Sequence, residues 1–460
     1  MQPRRSREHR AIILVMTTRQ RQAVFWLGSY LLLVLTPLFI LLLAPVPAKQ
    51  GFWWDVGIGL GFSGLIMLVM QFFITARLKR PAAPFGMDVI YYFHRCLGYA
   101  LLIVVISHPV VLAIGNPAII TDFRLSSLSW AIISGMLALA AMLVVVAVSV
   151  WRKQLRIPYD VWRLSHLLLA LTAVLLALTH MWTIDYYSAT PAVRWLWVLV
   201  VLSLPLIVLQ VRLIRPWHLA RRPWTVTEVV EEQGNCWTLT LKPTQHAGLN
   251  FQPGQFAWLS LGHSPSAMQE HPFSIASAPR EDGSLRFTIK ELGDFTNRIG
   301  ETEIGQRAYI DGPYGVFSCD RHPDAPGYVF VGGGIGIAPL LGMIQALADR
   351  GDKRRHIMFS AHSEWSRIPR RDELLELSKR LNLTLVFVLE DPPSLNDVPD
   401  WHGESGHITL DMLKRYLPDG FEEYQYFMCG PQPMLTAVRE SLEKLQVSPA
   451  QLHSELFEMA

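Results

Sequence analysis

Four histidines in the apolar first half of the chain form two pairs with the same spacing, His94 with His108 and His166 with His180. In an α-helix, two residues that are 14 positions apart lie on one face, about 21 Å apart along the axis. Imidazole is a common axial ligand of haem iron, and two imidazoles on one iron favour electron transfer. Two such helices side by side therefore predict two stacked haems, each held by one histidine from each helix.

A proton relay is the alternative interpretation of these histidines, because polar residues in membrane segments are costly and usually functional. The chain has 15 histidines, and these four lie within its long apolar segments. A relay does not need the same spacing twice, so the pattern favours haem ligands. Arg95, next to His94, and Arg163, three residues before His166, could pair with haem propionates. They could equally be basic residues that reach the membrane surface.

Six apolar segments are long enough to cross about 30 Å of hydrocarbon. They cover about 25–44, 56–76, 88–113, 129–150, 160–182 and 194–214. Basic residues follow the second, fourth and sixth segments, and the loops on the opposite side carry few. The positive-inside rule therefore predicts a multi-pass protein of the cell (inner) membrane with both termini in the cytoplasm. The third and fifth segments then run outward, with His94 opposite His166 near the cytoplasm and His108 opposite His180 near the outside.

The first 24 residues contain six arginines and no lysine. No aromatic or groove-reading pattern accompanies them, so we interpret this run as a basic cytoplasmic N-terminus and do not expect nucleic-acid binding. The net charge of +3 is too small to indicate a partner.

The second half has the composition of a soluble protein, and its apolar residues follow two different patterns, one in each part. Alternation over 225–242, with a turn at Gly234 and Asn235, predicts a hairpin, and further strands are expected near 255–261, 271–277, 285–292 and 307–311. This pattern favours a small antiparallel β-barrel. From Gly327 onward, strands alternate with helices, which favours an α/β domain with a parallel sheet.

Several short motifs in this half carry the chemistry. The segment His271-Pro-Phe-Ser-Ile-Ala-Ser277 follows Pro253-Gly-Gln-Phe256, and Lys290-Glu-Leu-Gly-Asp-Phe-Thr296 comes next. Val331-Gly-Gly-Gly-Ile-Gly-Ile-Ala-Pro339 joins a buried strand to a helix, where glycines and a helix N-terminus suit a pyrophosphate. Phe427-Met-Cys-Gly-Pro-Gln-Pro433 lies near the end. Taken one at a time, these could be strand ends and capped turns, but their order and spacing favour a shared cofactor site.

In this order the motifs resemble the ferredoxin-NADP reductase superfamily and, more narrowly, the ferric reductase and NADPH oxidase family, over about 88–460. The apolar segments and their histidines predict a transmembrane haem domain at 25–215, and the resemblance implies an FAD-binding β-barrel domain at 223–320 and an NAD(P)H-binding α/β domain at 326–460. It places Cys429 near hydride transfer and Phe457 against the flavin. The implied FAD and NAD(P)H residues are His271, Pro272, Phe273, Ser274, Lys290, Gly293, Thr296, Gly332, Gly333, Gly334, Gly336, Pro339, Gly430 and Pro431.

The resulting hypothesis is a membrane oxidoreductase that takes electrons from cytoplasmic NAD(P)H through FAD and two b-type haems to a small external acceptor. A ferric or other metal chelate and oxygen are both open as acceptors, the latter making a superoxide-producing oxidase. A haem module that feeds a partner protein or quinone is a further alternative. NADPH is favoured modestly over NADH because Arg367, Arg370 and Arg371 could hold a 2′-phosphate. The sequence does not predict an oligomeric state.

Overall fold

A computed structural model describes residues 18–43, 51–78, 85–121, 124, 128–185, 187, 190–267, 269–394, 396–398 and 401–455. Six long helices form the first half: α1 (Thr18–Leu43), α2 (Phe52–Thr75), α3 (Met87–Gly115), α4 (Trp130–Val150), α5 (Tyr159–Ile184) and α6 (Pro191–Leu209). All six are long and apolar enough to cross a membrane, so the predicted spans are confirmed. Phe457 and most of the basic N-terminus lie outside the described residues.

The helices are apolar on their outer faces as well as their inner ones. Ile103, Leu175 and Leu199 are each more than 60% exposed, at 66%, 63% and 64%. By contrast, Trp197 and Val174 are fully buried at the centre of the bundle. Helices that are hydrophobic all round belong in lipid, so the exposed side chains mark the lipid-facing surface.

Packing pairs α2 with α3 and α4 with α5. Ser129 caps the start of α4 by accepting a hydrogen bond from the Ile132 amide. At the other end of the bundle, α6 passes through a π-helical turn (Gln210–Ile214) into a short helix, α7 (Arg215–Ala220), which leads to the soluble half.

The first soluble domain is a six-stranded antiparallel sheet in the order β4-β3-β6-β1-β2-β5. Its strands are β1 (Trp224–Glu232), β2 (Cys236–Pro243), β3 (Phe256–Leu261), β4 (His271–Ser274), β5 (Leu285–Lys290) and β6 (Arg307–Tyr314). The predicted hairpin is confirmed, and both of its turn residues, Gly234 and Asn235, have positive φ, as a tight hairpin requires. The edge strands β4 and β5 are joined through one bridge, Ile275 with Phe287, so the sheet closes partway into a barrel.

The second soluble domain is a six-stranded parallel sheet in the order β10-β9-β8-β7-β11-β12. The strands are β7 (Tyr328–Gly333), β8 (His356–Glu364), β9 (Leu383–Asp391), β10 (Glu404–Ser405), β11 (Gln425–Cys429) and β12 (Leu452–Glu455). The helices are α8 (Ile337–Asp349), α9 (Arg371–Arg380), α10 (Leu410–Tyr416) and α11 (Gln432–Lys444). The predicted α/β domain is confirmed. In such sheets, ligands bind at the carboxyl ends of the central strands, here β7, β8 and β11.

Candidate electron-transfer site

The structure brings the four histidines together in pairs between α3 and α5. The ring centroids of His94 and His166 are 6.2 Å apart, and those of His108 and His180 are 6.3 Å apart. Metal–imidazole bonds of about 2.0–2.1 Å on both sides of one ion place two ring centroids about 6 Å apart. The spacing of each pair therefore fits one metal ion held between two imidazoles.

We call His108 and His180 the outer pair, and His94 and His166 the inner pair. Hydrogen bonds at the outer pair determine which ring nitrogen is available to bind a metal. The Nδ1 atom of His108 lies 2.7 Å from the Gly57 carbonyl oxygen, and that of His180 lies 2.6 Å from the Ala131 carbonyl oxygen. A carbonyl only accepts, so each Nδ1 carries the proton and donates. Nε2 of both rings is then free to bind a metal, which is the usual arrangement for metal-bound histidine.

Two glycines make room for the outer rings. Gly61 lies one helical turn after Gly57, and Gly135 lies one turn after Ala131. A Cβ atom at Gly61 would come within 2.9 Å of the His108 ring, and one at Gly135 within 2.7 Å of the His180 ring. The missing side chains let each imidazole reach the carbonyl of the preceding turn.

The inner pair has different partners. His166 Nδ1 lies 3.0 Å from the Ser149 hydroxyl, whose single proton goes to the Val145 carbonyl oxygen at 2.7 Å. His166 must therefore be the donor, and its Nε2 is free. Trp162 also donates to the Ser149 oxygen, at 3.3 Å. His94 Nδ1 is buried and has no hydrogen-bond partner among the described residues.

A cavity of about 730 Å³ adjoins the inner pair and has the size of a cofactor pocket. Its walls are mostly apolar, with Arg95, Arg152 and Lys153 among the lining residues. The Nη1 atom of Arg152 is buried and has no hydrogen-bond partner within the described part of the chain. Sequence reasoning missed Arg152, although it lies in the basic cluster after the fourth segment. The fit to haem is good: paired imidazoles, an apolar cavity, and cations for the propionates.

Arg163, the other arginine considered for a propionate, pairs with the barrel domain. Its Nη2 atom lies 2.5 Å from Oε1 of Glu270, the residue just before β4. The same carboxylate also pairs with Arg77. Arg95, which does line the cavity, remains a candidate for a propionate.

The four residues of the His-Pro-Phe-Ser motif form β4, next to β3. His271, Pro272 and Phe273 are partly exposed, and Ser274 is buried. The His271 ring stacks on Phe295 with centroids 4.0 Å apart. Burial lowers the pKa of His271, and the nearby Asp160 carboxylate opposes this only in part, so the ring is neutral at pH 7.

The segment from Lys290 to Thr296 leads from β5 into a short helix. This helix begins at Thr296 and is a six-residue 3₁₀-helix. The Thr296 hydroxyl oxygen accepts from the amides of Leu292 and Gly293, at 2.8 and 2.9 Å. Its lone pairs are thus used to close the turn, and Lys290 lines the cavity of the second domain.

That second cavity measures about 670 Å³ and lies at the carboxyl ends of β7, β8 and β11. Gly333, Gly334 and Pro431 line it, and Gly334 has a φ of 55°, with nothing within 4 Å of the point that a Cβ atom would occupy. Three other predicted glycines, Gly332, Gly336 and Gly430, lie in close packing contacts. A Cβ at Gly332 would meet Ile337 and Met358, one at Gly336 would meet the Cys429 carbonyl, and one at Gly430 would meet the backbone of Gly333. Pro339 is buried in the first turn of α8.

Cys429 ends β11 and is fully buried between Gly332 of β7 and Glu455 of β12. Burial, and secondarily the Glu455 carboxylate, raise the pKa of its thiol well above the usual value. The sulfur is therefore an uncharged thiol. Glu455 was not singled out from the sequence, because its position next to Cys429 depends on parallel pairing of two distant strands.

Of the three arginines proposed for a 2′-phosphate, Arg367 lines the second cavity, together with His362, Ser363 and Ser366. Arg370 is instead buried, with its Nη1 atom 2.6 Å from the Ala276 carbonyl oxygen. Arg371 donates to the Trp365 carbonyl oxygen at 3.1 Å and lies over the Trp365 ring. The Arg370 contact joins the α/β domain to the barrel domain, and the Arg371 contact lies within the α/β domain, so of the three arginines it is Arg367 that lines the cavity.

Comparison with known families agrees with this architecture. Residues 60–177 match the profile described as "Ferric reductase like transmembrane component", residues 222–318 match an FAD-binding domain, and residues 330–440 match an oxidoreductase NAD-binding domain. The chain belongs to the ferric reductase-like membrane oxidoreductases that have a C-terminal half of the ferredoxin-NADP reductase type. It has the six spans of a multi-pass membrane protein, and its soluble half contains an FAD-binding domain and an NAD-binding domain of the oxidoreductase type.

Curated relatives include the reductase component of propane 2-monooxygenase from Rhodococcus jostii, 32% identical over 47% of this chain and 58% of that protein. The stachydrine N-demethylase reductase subunit of Rhizobium meliloti is 30% identical over 51% of this chain and 67% of that protein. The chain thus spans about three fifths to two thirds of the length of these relatives. Among solved structures, a Malassezia yamatoensis flavohemoglobin with bound FAD and haem aligns over 75% of this chain and 91% of its own, with a TM-score of 0.46 and 20% identity.

Proposed function

We propose that this protein is a transmembrane flavocytochrome that carries electrons from NAD(P)H, through FAD and two b-type haems, to an acceptor on the opposite side of the membrane. The observation that carries this proposal is the pair of imidazole sites, with ring centroids 6.2 and 6.3 Å apart, on the same two helices. Three of the four rings donate Nδ1–H to an oxygen, which leaves Nε2 directed to a metal.

The bound cofactors would supply the chemistry, with hydride acceptance and one-electron release at FAD and one-electron transfer at the haems. The protein holds and orients them. His94 and His166 would hold the inner haem, with Arg95 and Arg152 near its propionates, and His108 and His180 would hold the outer one. Residues 271–274 would bind the flavin, and Gly333, Gly334 and Pro431 the nicotinamide coenzyme. Cys429 would supply a neutral, apolar wall near hydride transfer, with Phe457 against the flavin.

The positions of the domains support the proposed direction of transfer. The ends of α2 and α5 that contact the barrel domain are those nearest the inner pair. The basic residues after the second, fourth and sixth spans lie at this same end, and we place it in the cytoplasm by the positive-inside rule. Both termini would then be cytoplasmic, and the membrane would be the cell (inner) membrane.

A difference spectrum of the purified protein tests the proposal. Dithionite and NADPH should both produce a b-type haem spectrum, with two haems per chain. His108→Ala should remove about half of the haem, and His94→Ala the other half. Full haem content in either variant would overturn the ligand assignment, and haem that dithionite reduces but NADPH does not would overturn the electron path.

The acceptor is decided by a second assay. We propose a small, diffusible molecule, because the segments joining the spans on the outer side are short. Ferric-chelate reduction that survives both superoxide dismutase and removal of oxygen identifies a metal reductase. Cytochrome c reduction that dismutase abolishes identifies a superoxide-producing oxidase. If the isolated chain consumes NADPH with neither acceptor, a partner protein or quinone takes the electrons.

A further inference from the structure

A buried ionic cluster joins the barrel domain to the membrane bundle. Glu270, just before β4, accepts two hydrogen bonds from Arg77, at 2.6 and 3.0 Å, and a third from Arg163 at 2.5 Å. The side chain of Arg77 is 5% exposed, and those of Arg163 and Glu270 are 19% and 20% exposed. One carboxylate of the barrel domain thus binds the end of α2 and the start of α5 at the same time.

Asp311 on β6 extends this cluster. Its Oδ2 atom lies 3.4 Å from Arg77 and 3.8 Å from Arg215 at the start of α7, and Tyr314 donates to its Oδ1 at 3.0 Å. Arg215 also donates to the Ala76 carbonyl oxygen at the end of α2. Three cations and two carboxylates therefore lie in one contact between the domains, and each carboxylate faces more than one arginine.

The backbone at Arg77 is adapted to this contact. Its φ of 55° is left-handed, a conformation that usually selects glycine just after a helix. An arginine here is strained, yet its guanidinium lies 3.6 Å from the centroid of the Trp258 ring on β3 and forms a two-pronged pair with Glu270. Such strain persists where surrounding contacts over-determine it and is common at functional sites.

The cluster joins residues that adjoin the two proposed redox sites. Glu270 precedes His271, the first residue of the proposed flavin segment. Arg163 precedes His166, the proposed inner ligand, by one turn of α5, about 4.5 Å along the axis. The ion pair between Arg163 and Glu270 therefore connects the start of the proposed flavin segment with α5, the helix that carries the inner ligand His166.

An aromatic contact surrounds the ions. Trp258 lies 6.5 Å, centroid to centroid, from Tyr91, which is one turn before His94 on α3. Met87, Phe256, Trp258 and Tyr314 form a small buried cluster at the same place. Trp258 covers the Arg77 guanidinium and Tyr314 contacts Asp311, so these aromatic side chains shield part of the cluster from water. Burial opposes ionisation of Glu270, but Arg77 and Arg163 outweigh it and hold the pKa of its carboxyl at about 2, so its charge is constant at physiological pH.

We propose that Glu270 is a positioning residue that holds the flavin segment against the inner haem site and thereby sets the rate of electron transfer between them. This inference rests on the proposed function. In the step concerned, one electron leaves the reduced flavin and reduces the inner haem iron, and Glu270 neither gains nor loses a proton.

Stopped-flow reduction by NADPH without oxygen separates the two steps in the full-length protein. In Glu270→Gln, flavin reduction should keep its wild-type rate, and haem reduction should slow by roughly tenfold or more, because two buried arginines lose their carboxylate. Asp349→Asn is the matched control, since it removes the exposed pair with Arg380, 2.8 Å apart, far from this contact, and should leave both rates unchanged. Arg77→Lys, which keeps the charge but not the two-pronged geometry, should slow only haem reduction, and to a smaller extent.

Hydrogen exchange supplies a readout that does not depend on electron transfer. Peptides covering 256–261 and 87–95 should exchange faster in Glu270→Gln than in wild type, with the flavin and haem contents unchanged. Equal haem-reduction rates in Glu270→Gln and wild type would overturn the proposal, as would an equal slowing of flavin reduction, which would place Glu270 in the flavin site itself. A wild-type protein that binds no haem would instead overturn the proposed function.

Discussion

The Nδ1 atom of His108 on α3 lies 2.7 Å from the carbonyl oxygen of Gly57 on α2. The same contact recurs at the other outer ligand, where His180 donates to Ala131 at 2.6 Å. In both cases a glycine stands four residues after the accepting carbonyl, and a Cβ there would meet the ring. The helices that pack against α3 and α5, which are α2 and α4, thus orient the two proposed outer ligands by the same hydrogen bond.

Gly61→Ala should reduce the outer haem content and leave the inner haem in place. Alanine favours a helix by up to about 1 kcal/mol over glycine, so the change should not unfold α2. Its methyl group would nevertheless displace the His108 ring, and losing an outer-shell contact typically weakens metal binding roughly 10- to 100-fold. The haem-to-protein ratio measures the effect.

Gly28→Ala on α1 is the control for that change, because a Cβ there has nothing within 4 Å. It should leave both haems bound. Full haem occupancy in Gly61→Ala would show that haem binding does not require the space that Gly61 leaves for the His108 ring.

Ser149→Ala should act on the inner haem alone. The change removes the oxygen that accepts from His166, so the imidazole becomes a weaker donor to iron and the reduction potential of the inner haem should rise. A redox titration followed by absorbance reports both potentials. Ser203→Ala, which removes a hydroxyl that donates to the Val200 carbonyl oxygen within its own helix, is the comparison variant. An unchanged inner potential in Ser149→Ala would exclude the role of this hydrogen bond.

Arg367→Ala should raise the KM for NADPH and leave that for NADH nearly constant. A hydrogen bond from a charged group contributes about 1.5–3 kcal/mol, which corresponds to roughly a 10- to 100-fold change. Arg371→Ala tests the structural role of that arginine, since its contacts to Trp365 predict an equal effect on both coenzymes. Steady-state kinetics with each coenzyme decide the matter. A selective loss of NADPH in Arg371→Ala, with none in Arg367→Ala, would reverse the assignment.

Acid should destabilise the nucleotide-binding domain between pH 6.5 and about 4. His356 is fully buried under Tyr328, and burial lowers the pKa of its ring from 6.5 to about 4, although Asp352 opposes this. Above pH 6.5 neither the folded nor the unfolded state is protonated at this ring. As the pH falls further, the unfolded state binds the proton first, so up to about 3 kcal/mol of stability is lost by pH 4.

Thermal unfolding of this domain over that pH range, in wild type and His356→Gln, measures the contribution. The variant should lose less stability on acidification than wild type does. His362, whose pKa burial also lowers to about 4, remains in both proteins and contributes a drift of the same sign. Identical pH profiles would show that His356 does not titrate as described.

The sequence by itself determined the six membrane spans, the two soluble sheets and the approximate place of each cofactor motif. These features depend on periodicity and on short local signals: apolar runs set by the thickness of the bilayer, alternation set by the strand, and glycines set by a turn. The 14-residue spacing belongs to the same class, because one helix determines both positions of a pair.

The tertiary structure decided which groups meet across elements. It paired Arg163 with Glu270 and brought Arg152 to the inner cavity. Of the three arginines considered for the 2′-phosphate, it placed Arg367 at the coenzyme cavity and Arg370 and Arg371 in other contacts. It also placed Glu455 next to Cys429 and a glycine behind each outer histidine. Contacts between residues tens or hundreds of positions apart follow from packing and from the pairing order of strands, and no local period in the chain encodes them.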